Sequence, residues 1–345
     1  MRPKNLECII EAKVNEIAID YSWLGPTGIG RVATEVINRV PQGWRITGVR
    51  EGRPNAAPLT PFDLWQTLRG TSASLFWSPG FMPPLANAGI PTVLTVHDLT
   101  HLHYYSSAKK AYYNALIKPL LKRASHIVTV SDFTRDELLN WSGLPEDRVT
   151  TILNAVSPSF NSSGPVIKLD RPYILYAGNR RSYKNVDRLV KAFAVSKLPE
   201  QGYVLGLTGN SSEELNRLTH ESGLEKHVHY FGFVPEEELP ALYRGAHALA
   251  FVSLYEGFGL PILESMASGV PVLTSNISSM PEVAGDAALL IDPHDVASIA
   301  AGLVEIAEHK EKREQLISRG FERAARYSWD KTAADYWTLF SRLRK

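Results

Sequence analysis

The amino-acid sequence predicts an α/β protein made of two doubly wound, Rossmann-like parallel-sheet domains with a cleft between them. Three observations carry this. Short apolar, β-branched runs alternate with amphipathic helical patterns along the chain, which implies parallel strands joined by right-handed helical crossovers. One stretch rich in Ser, Pro, Gly and Asn, SPSFNSSGPVIKLDRP at 157–172, interrupts that alternation and reads as an interdomain linker. The length of 345 residues, 44% hydrophobic and 21% charged, suits two domains of roughly 150 residues each. The expected limits are 1–160, a linker at 161–171, 172–326, and a terminal helix over 327–345.

In the first half the expected strands are EIAID (16–20), WRITGV (44–49), SLFWS (74–78), TVLTV (92–96), HIVTV (126–130) and VTTIL (149–153). Continuous apolar runs of this length suit strands covered on both faces. In RVATEVINRV (31–40), Val32, Val36, Ile37 and Val40 form one stripe, which Pro41 ends. In SDFTRDELLNW (131–141), Thr134 and Glu137 have capping-box spacing. The segment 106–126 is amphipathic: Lys109, Lys110, Lys118, Lys122 and Arg123 run beside Tyr112, Tyr113, Leu116, Leu120 and Leu121. The favoured reading is a domain helix with its stripe in the core, the other a membrane-facing surface. The second half repeats the rhythm with YILYAG (173–178), YVLGLTG (203–209), VHYFGF (228–233), HALAFVS (247–253), PVLTS (271–275) and ALLID (288–292). Residues 295–344 read as helical, with a break near 327–329.

Composition narrows the function. A net charge of +1 gives no reason to expect nucleic acid as a partner, and the single cysteine, Cys8, supports neither a disulfide framework nor a cysteine-built zinc site. A cytoplasmic, reducing location fits. No apolar run approaches the ~20 residues that cross a bilayer, and the N-terminus lacks a signal-peptide apolar core. Residues before Ile17 read as a short extension without an assigned role.

Ligands of doubly wound sheets bind at the carboxyl ends of strands, and four strand-end loops carry unusual chemistry. In YSWLGPTGIGR (21–31), Gly28 and Gly30 precede a helix expected near Arg31, and helix-terminus amides attract an anion such as phosphate. The loop departs from GxGxxG and lacks a ribose-binding acid, so a plain glycine turn is the alternative. In VHDLTHLHYY (96–105), His97 and Asp98 end a strand. The spacing of His97, His101 and His103 disfavours a metal; the readings left are a cleft His97 bonded to substrate or a histidine satisfied by backbone. In AGNRRSYKNVDRLVKAF (177–193), Arg180, Arg181 and Lys184 crowd a helix start near Asn185, suiting a diphosphate or a charged loop alike. In LYEGFGLPILE, Glu256 lies in a loop with Gly257 and Gly259, and Glu264 one turn into a helix beginning near Pro261. A carboxylate grips a vicinal diol through two hydrogen bonds, so two such groups fit the hexose and the ribose of one sugar nucleotide. An acid favoured by the helix dipole would explain Glu264 but not the Gly-Phe-Gly-Leu-Pro context.

EGFGLPILE (256–264) resembles the EX7E motif of retaining GT-B glycosyltransferases of family four. GPTGIGR (25–31), VHDL (96–99), VTVSDFT (128–134), YAGNRRSYKN (176–185), FGFV (231–234), ASGVPVLTSNISSMPEVAGDAALLIDP (267–293) and YSWDKTA (327–333) resemble further family segments in the family's order. The resemblance implies a GT-B fold, with an N-terminal acceptor domain and a C-terminal donor domain. It implies that Glu264 holds the donor ribose, that Glu256 and the amides of Gly257, Phe258 and Gly259 hold the transferred sugar, with Leu260 completing the stretch, and that Lys184 binds the diphosphate. Family members carry an arginine where this chain has Asn179, so Arg180, ahead of Arg181, is the implied substitute. Gly28 and Gly30 would lie against the phosphates, His97 near the reacting centre, and 231–234 near the nucleobase. The implied catalytic set is His97, Glu256, Arg180 and Lys184.

The implied reaction is retaining hexosyl transfer by front-face attack, without cofactor or metal, since no Asp-x-Asp motif is present. GPTGIGR, VHDL and GNRRSYKN are similar to short bacterial mannosyltransferases of O-antigen and lipopolysaccharide synthesis. They imply GDP-mannose as donor, a saccharide or lipid-linked saccharide as acceptor, and peripheral contact with the inner face of the cytoplasmic membrane. The alternatives are a UDP-sugar donor and a sugar-nucleotide 2-epimerase. A nicotinamide dehydrogenase would need GxGxxG and its ribose acid; a decayed binding subunit would not keep Glu256, Glu264, Lys184 and His97 together.

Overall fold

The computed structural model describes residues 15–344; Cys8 and residues 1–14 of the expected N-terminal extension lie outside them, whereas Asn15 and Glu16, also assigned to it, belong to the first strand. Each expected strand is present: β1 Asn15–Asp20, β2 Trp44–Val49, β3 Leu75–Ser78, β4 Thr92–Val96, β5 His126–Thr129, β6 Val149–Thr151, β7 Tyr173–Tyr176, β8 Val204–Leu207, β9 Val228–Tyr230, β10 Ala248–Phe251, β11 Val272–Ser275 and β12 Ala288–Ile291. They form two six-stranded sheets, in the orders β2-β1-β3-β4-β5-β6 and β12-β11-β10-β7-β8-β9. All neighbours pair in parallel. β3, β4, β5, β7, β8, β10 and β11 are buried at every residue, as strands covered by helices on both faces must be. The edge strands β2, β6 and β12 mix buried with accessible positions, and β9 has no fully buried residue. Between Thr151 and Tyr173 the described chain has neither strand nor helix.

The strand order reverses at β1/β3 in the first sheet and at β7/β10 in the second. Those crevices are where doubly wound sheets bind ligands. The loops carrying Gly28, Lys184 and Glu256 follow β1, β7 and β10, the strands at those reversals.

Three local expectations are corrected. The first helix runs Gly28–Ile37, because Thr27 caps it by accepting from the amide of Gly30 (3.0 Å); it stops short of Val40, which is exposed. The helix Asp132–Ser142 is capped by Ser131, whose Oγ accepts from the Thr134 amide (3.1 Å). Glu137 takes no part in a capping box and instead accepts from the phenol of Tyr255 (2.5 Å). The segment 106–126 is a helix, Ser107–Tyr112, a π turn, Tyr113–Ile117, and a helix, Lys118–Leu121. Its Ile117, Leu120 and Leu121 are buried in the first domain's core with Tyr112 and Tyr113 packed alongside, so its apolar stripe is not a surface.

The C-terminal helices are Val296–Glu308, Lys310–Ala324 and Trp329–Leu343. The last crosses back onto the first sheet. Trp337 donates to the carbonyl of Val36 (3.0 Å) and Thr332 to that of Leu153 (2.8 Å), while the Tyr336 hydroxyl pairs with Thr95 (3.1 Å). Rings of Tyr336 and Phe340 pack on Trp77 at 5.2 and 5.4 Å. Among the described residues no helix is long and apolar enough to cross a membrane.

Candidate active site

Glu256 sits in the loop after β10, which is strapped to the loop after β11. The Ser279 hydroxyl lies 2.9 Å from the carbonyls of both Glu256 and Phe258, and the Glu256 amide donates to Ser278 (3.0 Å). Gly257 presses against the other domain: a Cβ there would lie 1.7 Å from the carbonyl oxygen of His97. Only glycine allows this approach. The Gly257 carbonyl accepts from Ser131 (2.6 Å) and Thr134 (3.2 Å) across the cleft. Nearby, the carboxylate of Glu282 accepts from the amides of Asp132 (2.9 Å) and Phe133 (3.0 Å), at the other domain's helix N-terminus.

Each carboxylate of the motif has a cation. Lys184 Nζ lies 2.6 and 2.9 Å from the two oxygens of Glu256. Glu264, on the buried face of the helix Leu260–Ala267, accepts from Arg31 Nη1 (2.7 Å) and from the Tyr243 phenol (2.9 Å). Tyr243 is buried, and burial, then the charge of Glu264, hold its pKa well above the usual phenol value, so it remains a donor. The second terminal nitrogen of Arg31 binds Glu236. Arg31 thus joins the glycine loop of one domain to the Glu264 carboxylate of the other. Arg31, Tyr243 and Glu236 are absent from the sequence-based set. One signal was available for Arg31: a cation in the first turns of a helix opposes the dipole and asks for a partner elsewhere.

The glycine loop has two different glycines. A Cβ on Gly30 would strike the carbonyl oxygen of Gly25 at 2.1 Å, whereas one on Gly28 would meet nothing within 4 Å. Gly30 serves the packing of the turn; Gly28 borders open space.

His97 is half-buried, and its Nε2 lies 2.8 Å from the carbonyl of Pro79. A carbonyl only accepts, so Nε2 carries the proton and Nδ1 is the acceptor. Burial lowers its pKa, which keeps the ring neutral. The backbone reading of His97 is the one the hydrogen bond to Pro79 supports, and Nδ1 is left as an acceptor. His101 and His103 go elsewhere. His101 stacks on Tyr113 at 3.8 Å, with burial lowering its pKa to about 4, and His103 pairs with Glu137. Asp98 accepts from the Thr100 amide (2.8 Å).

Arg180 is not brought to the Lys184–Glu256 pair. Its guanidinium donates to the carbonyls of Thr208 (2.8 Å), Gly209 (2.9 Å) and Asn210, and stacks over Tyr230. The fork bonds the loop after β8, whereas the resemblance would set it beside Lys184. Arg181 lies by the phenols of Tyr183 and Tyr105, which raise its pKa, Tyr183 most. Along the same edge the Gly209 amide donates to the Gly232 carbonyl (2.7 Å), and Phe233 projects with 86% of its surface exposed.

A cleft with two cation-paired carboxylates, two helix N-termini and an acceptor histidine nitrogen is equipped to bind an anionic, polyhydroxylated ligand. Comparison with known proteins agrees with that chemistry. Residues 160–323 match the family described as Glycosyl transferases group 1, and residues 19–160 match Glycosyltransferase Family 4. The chain is 33% identical over 277 residues to O-antigen chain mannosyltransferase B of Escherichia coli, covering 76% of this chain and 73% of that protein. It is 30% identical to O-antigen chain mannosyltransferase RfbU of Salmonella typhimurium, covering 69% and 65%. In structure it is similar to HepE of Anabaena, solved with UDP-glucose. That match has a TM-score of 0.76 and 17% identity, and covers 95% of this chain and 100% of that one; at this identity the likeness concerns the GT-B fold.

Proposed function

The chain belongs to the group 1 glycosyltransferases of family 4, and we propose that it transfers mannose from GDP-mannose, with retention and without a metal, to a lipid-linked saccharide of a bacterial surface polysaccharide. The observation that carries the reaction class is the pairing of Glu256 with Lys184 and of Glu264 with Arg31: two diol-binding groups stand beside cations suited to a diphosphate. The choice of mannose rests on the two O-antigen mannosyltransferase relatives.

In this reading Glu264 receives the ribose hydroxyls, and Phe233 and the 209–210 loop border the base. Lys184 turns from Glu256 to the diphosphate, freeing Glu256 for hydroxyls of the transferred sugar. The bond from the anomeric carbon to the phosphate oxygen breaks as the acceptor oxygen attacks from the same face. The departing phosphate oxygen takes the acceptor proton, and the nucleoside diphosphate leaves. Lys184 and the first-turn amides of the Leu260–Ala267 helix stabilise its growing charge. His97 Nδ1 accepts from a sugar hydroxyl. A lipid-linked acceptor calls for peripheral docking. With the 106–126 stripe buried, exposed apolar groups that could serve are Leu59 and Phe62; Leu59 follows Pro58, whose carbonyl accepts from the Tyr112 hydroxyl (3.1 Å).

The test is a donor screen followed by product analysis. GDP-mannose is expected to raise the melting temperature and to turn over with EDTA present, and NMR of the product is expected to show the α configuration. Stabilisation and turnover by UDP-sugars alone would replace the donor and keep the reaction. Conversion of a donor without acceptor would mark an epimerase. An inverted product, or activity abolished by EDTA, would overturn the mechanism.

A further inference from the structure

Each oxygen of Glu264 already accepts one hydrogen bond, one from Arg31 and the other from Tyr243. Tyr243 lies in the same domain and is buried, so it stays. Arg31 belongs to the opposite domain, and its side chain is 19% exposed, at the rim of the cleft. The Glu264 side chain is only 8% exposed, so a vicinal diol that reaches it through two hydrogen bonds competes with Arg31 for the accessible side of the carboxylate. The displaced guanidinium then needs acceptors, because a partly buried cation without a partner is costly. It follows Gly30 directly, in the first turns of the helix whose amides attract an anion. Glu236, its other partner, is 58% exposed and holds it loosely. A planar fork of donors beside a helix N-terminus is suited to bidentate phosphate binding.

We propose that Arg31 is an exchangeable counter-ion: it pairs with Glu264 and passes to the diphosphate of the donor when the donor's ribose competes for that carboxylate. The inference rests on the reading that this cleft takes a nucleotide sugar, and it assigns a second diphosphate group opposite Lys184. Because Arg31 and Glu264 lie in different domains, the exchange replaces a direct interdomain ion pair by one bridged through the ligand.

The exchange has a signature that a structural arginine lacks. A nucleoside displaces Arg31 and offers it nothing; a nucleoside diphosphate displaces it and rewards it with phosphate oxygens. Calorimetric titration of the folded wild type and Arg31→Gln with guanosine, GDP, uridine and UDP reads the difference. For the base that binds, Arg31→Gln is expected to lower diphosphate affinity by about 10–100-fold, the range of a charged hydrogen bond, with nucleoside affinity unchanged or raised. Arg31→Lys should restore part of the loss. Equal losses for nucleoside and diphosphate, or no loss for either, would overturn the exchange while leaving the donor reading intact. A wild type that binds neither diphosphate overturns both. If Arg31→Gln does not fold, Glu236→Gln, at an exposed site, decides: by releasing Arg31 it should raise diphosphate affinity alone, and an unchanged diphosphate affinity overturns the proposal.

Discussion

Two arginine–carboxylate pairs, Arg50–Asp20 and Arg31–Glu264, are alike in chemistry and opposite in use. Arg50 and Asp20 are both fully buried within the first domain. Arg50 bonds Asp20 (2.8 Å), Ser22 (3.1 Å), Asp63 (2.8 Å) and the carbonyl of Pro54 (2.6 Å), so its fork is filled. Burial pushes the pKa of Asp20 up, and the Arg50 charge opposes that shift. Arg31 and Glu264 meet across a domain boundary, with Glu236 and Tyr243 as their further partners. A closed, intradomain network fixes the loops after β1 and β2. An interdomain pair with accessible partners is free to be remade around a ligand.

The strongest way to break this contrast is Asp20→Ala, which leaves the Arg50 charge buried without its main partner. A loss of about 3–5 kcal/mol in denaturant unfolding is expected; a loss near zero would mean that the core pair is no more structural than the cleft pair. Glu264→Gln should do the reverse, moving unfolding little while weakening donor binding by about 2–3 kcal/mol. Calorimetry beside a melting curve checks it, and a stability loss matching that of Asp20→Ala would erase the distinction.

The smallest effect concerns pH. Burial lowers the pKa of His101 and of His126 to about 4, against about 6.5 in an unfolded chain. Between those values the unfolded chain takes up protons that the folded one refuses. Stability from the neutral rings is therefore full above pH 6.5 and is lost as pH falls toward 4. In His101→Phe, which keeps an apolar ring against Tyr113, that slope should flatten by about 1–3 kcal/mol between pH 7 and 4. An unchanged slope would mean that His101 is not a source of the acid sensitivity.

The strands were legible because burial on both faces writes them as continuous apolar runs; LFWS and TVLTV need no partner to be recognised. Helix ends were less so. Thr27 competes with Arg31 as a helix start, and its capping bond decides, while Glu137 is drawn from its local box by Tyr255, 118 positions away. The same distance effect governs the site. Glu256 and Glu264 announce themselves by spacing along one loop and helix. Arg31 meets Glu264 across 233 positions, and no local pattern encodes that. Arg180 shows the converse: its position beside a strand end suggested phosphate, but the carbonyls of the loop after β8 were nearer.

The helix Trp329–Leu343 completes the core of the first sheet, with Tyr336, Trp337 and Phe340 in one cluster with Ile17, Ile19 and Trp77. This has a consequence during translation. At about 5–20 residues per second, the ribosome needs on the order of 10–40 s to proceed from the linker to Leu343. Throughout that interval the nascent first domain presents Trp77 and the inner side of the first helix without their cover. The second domain therefore emerges beside a neighbour whose core is closed only by the last helix.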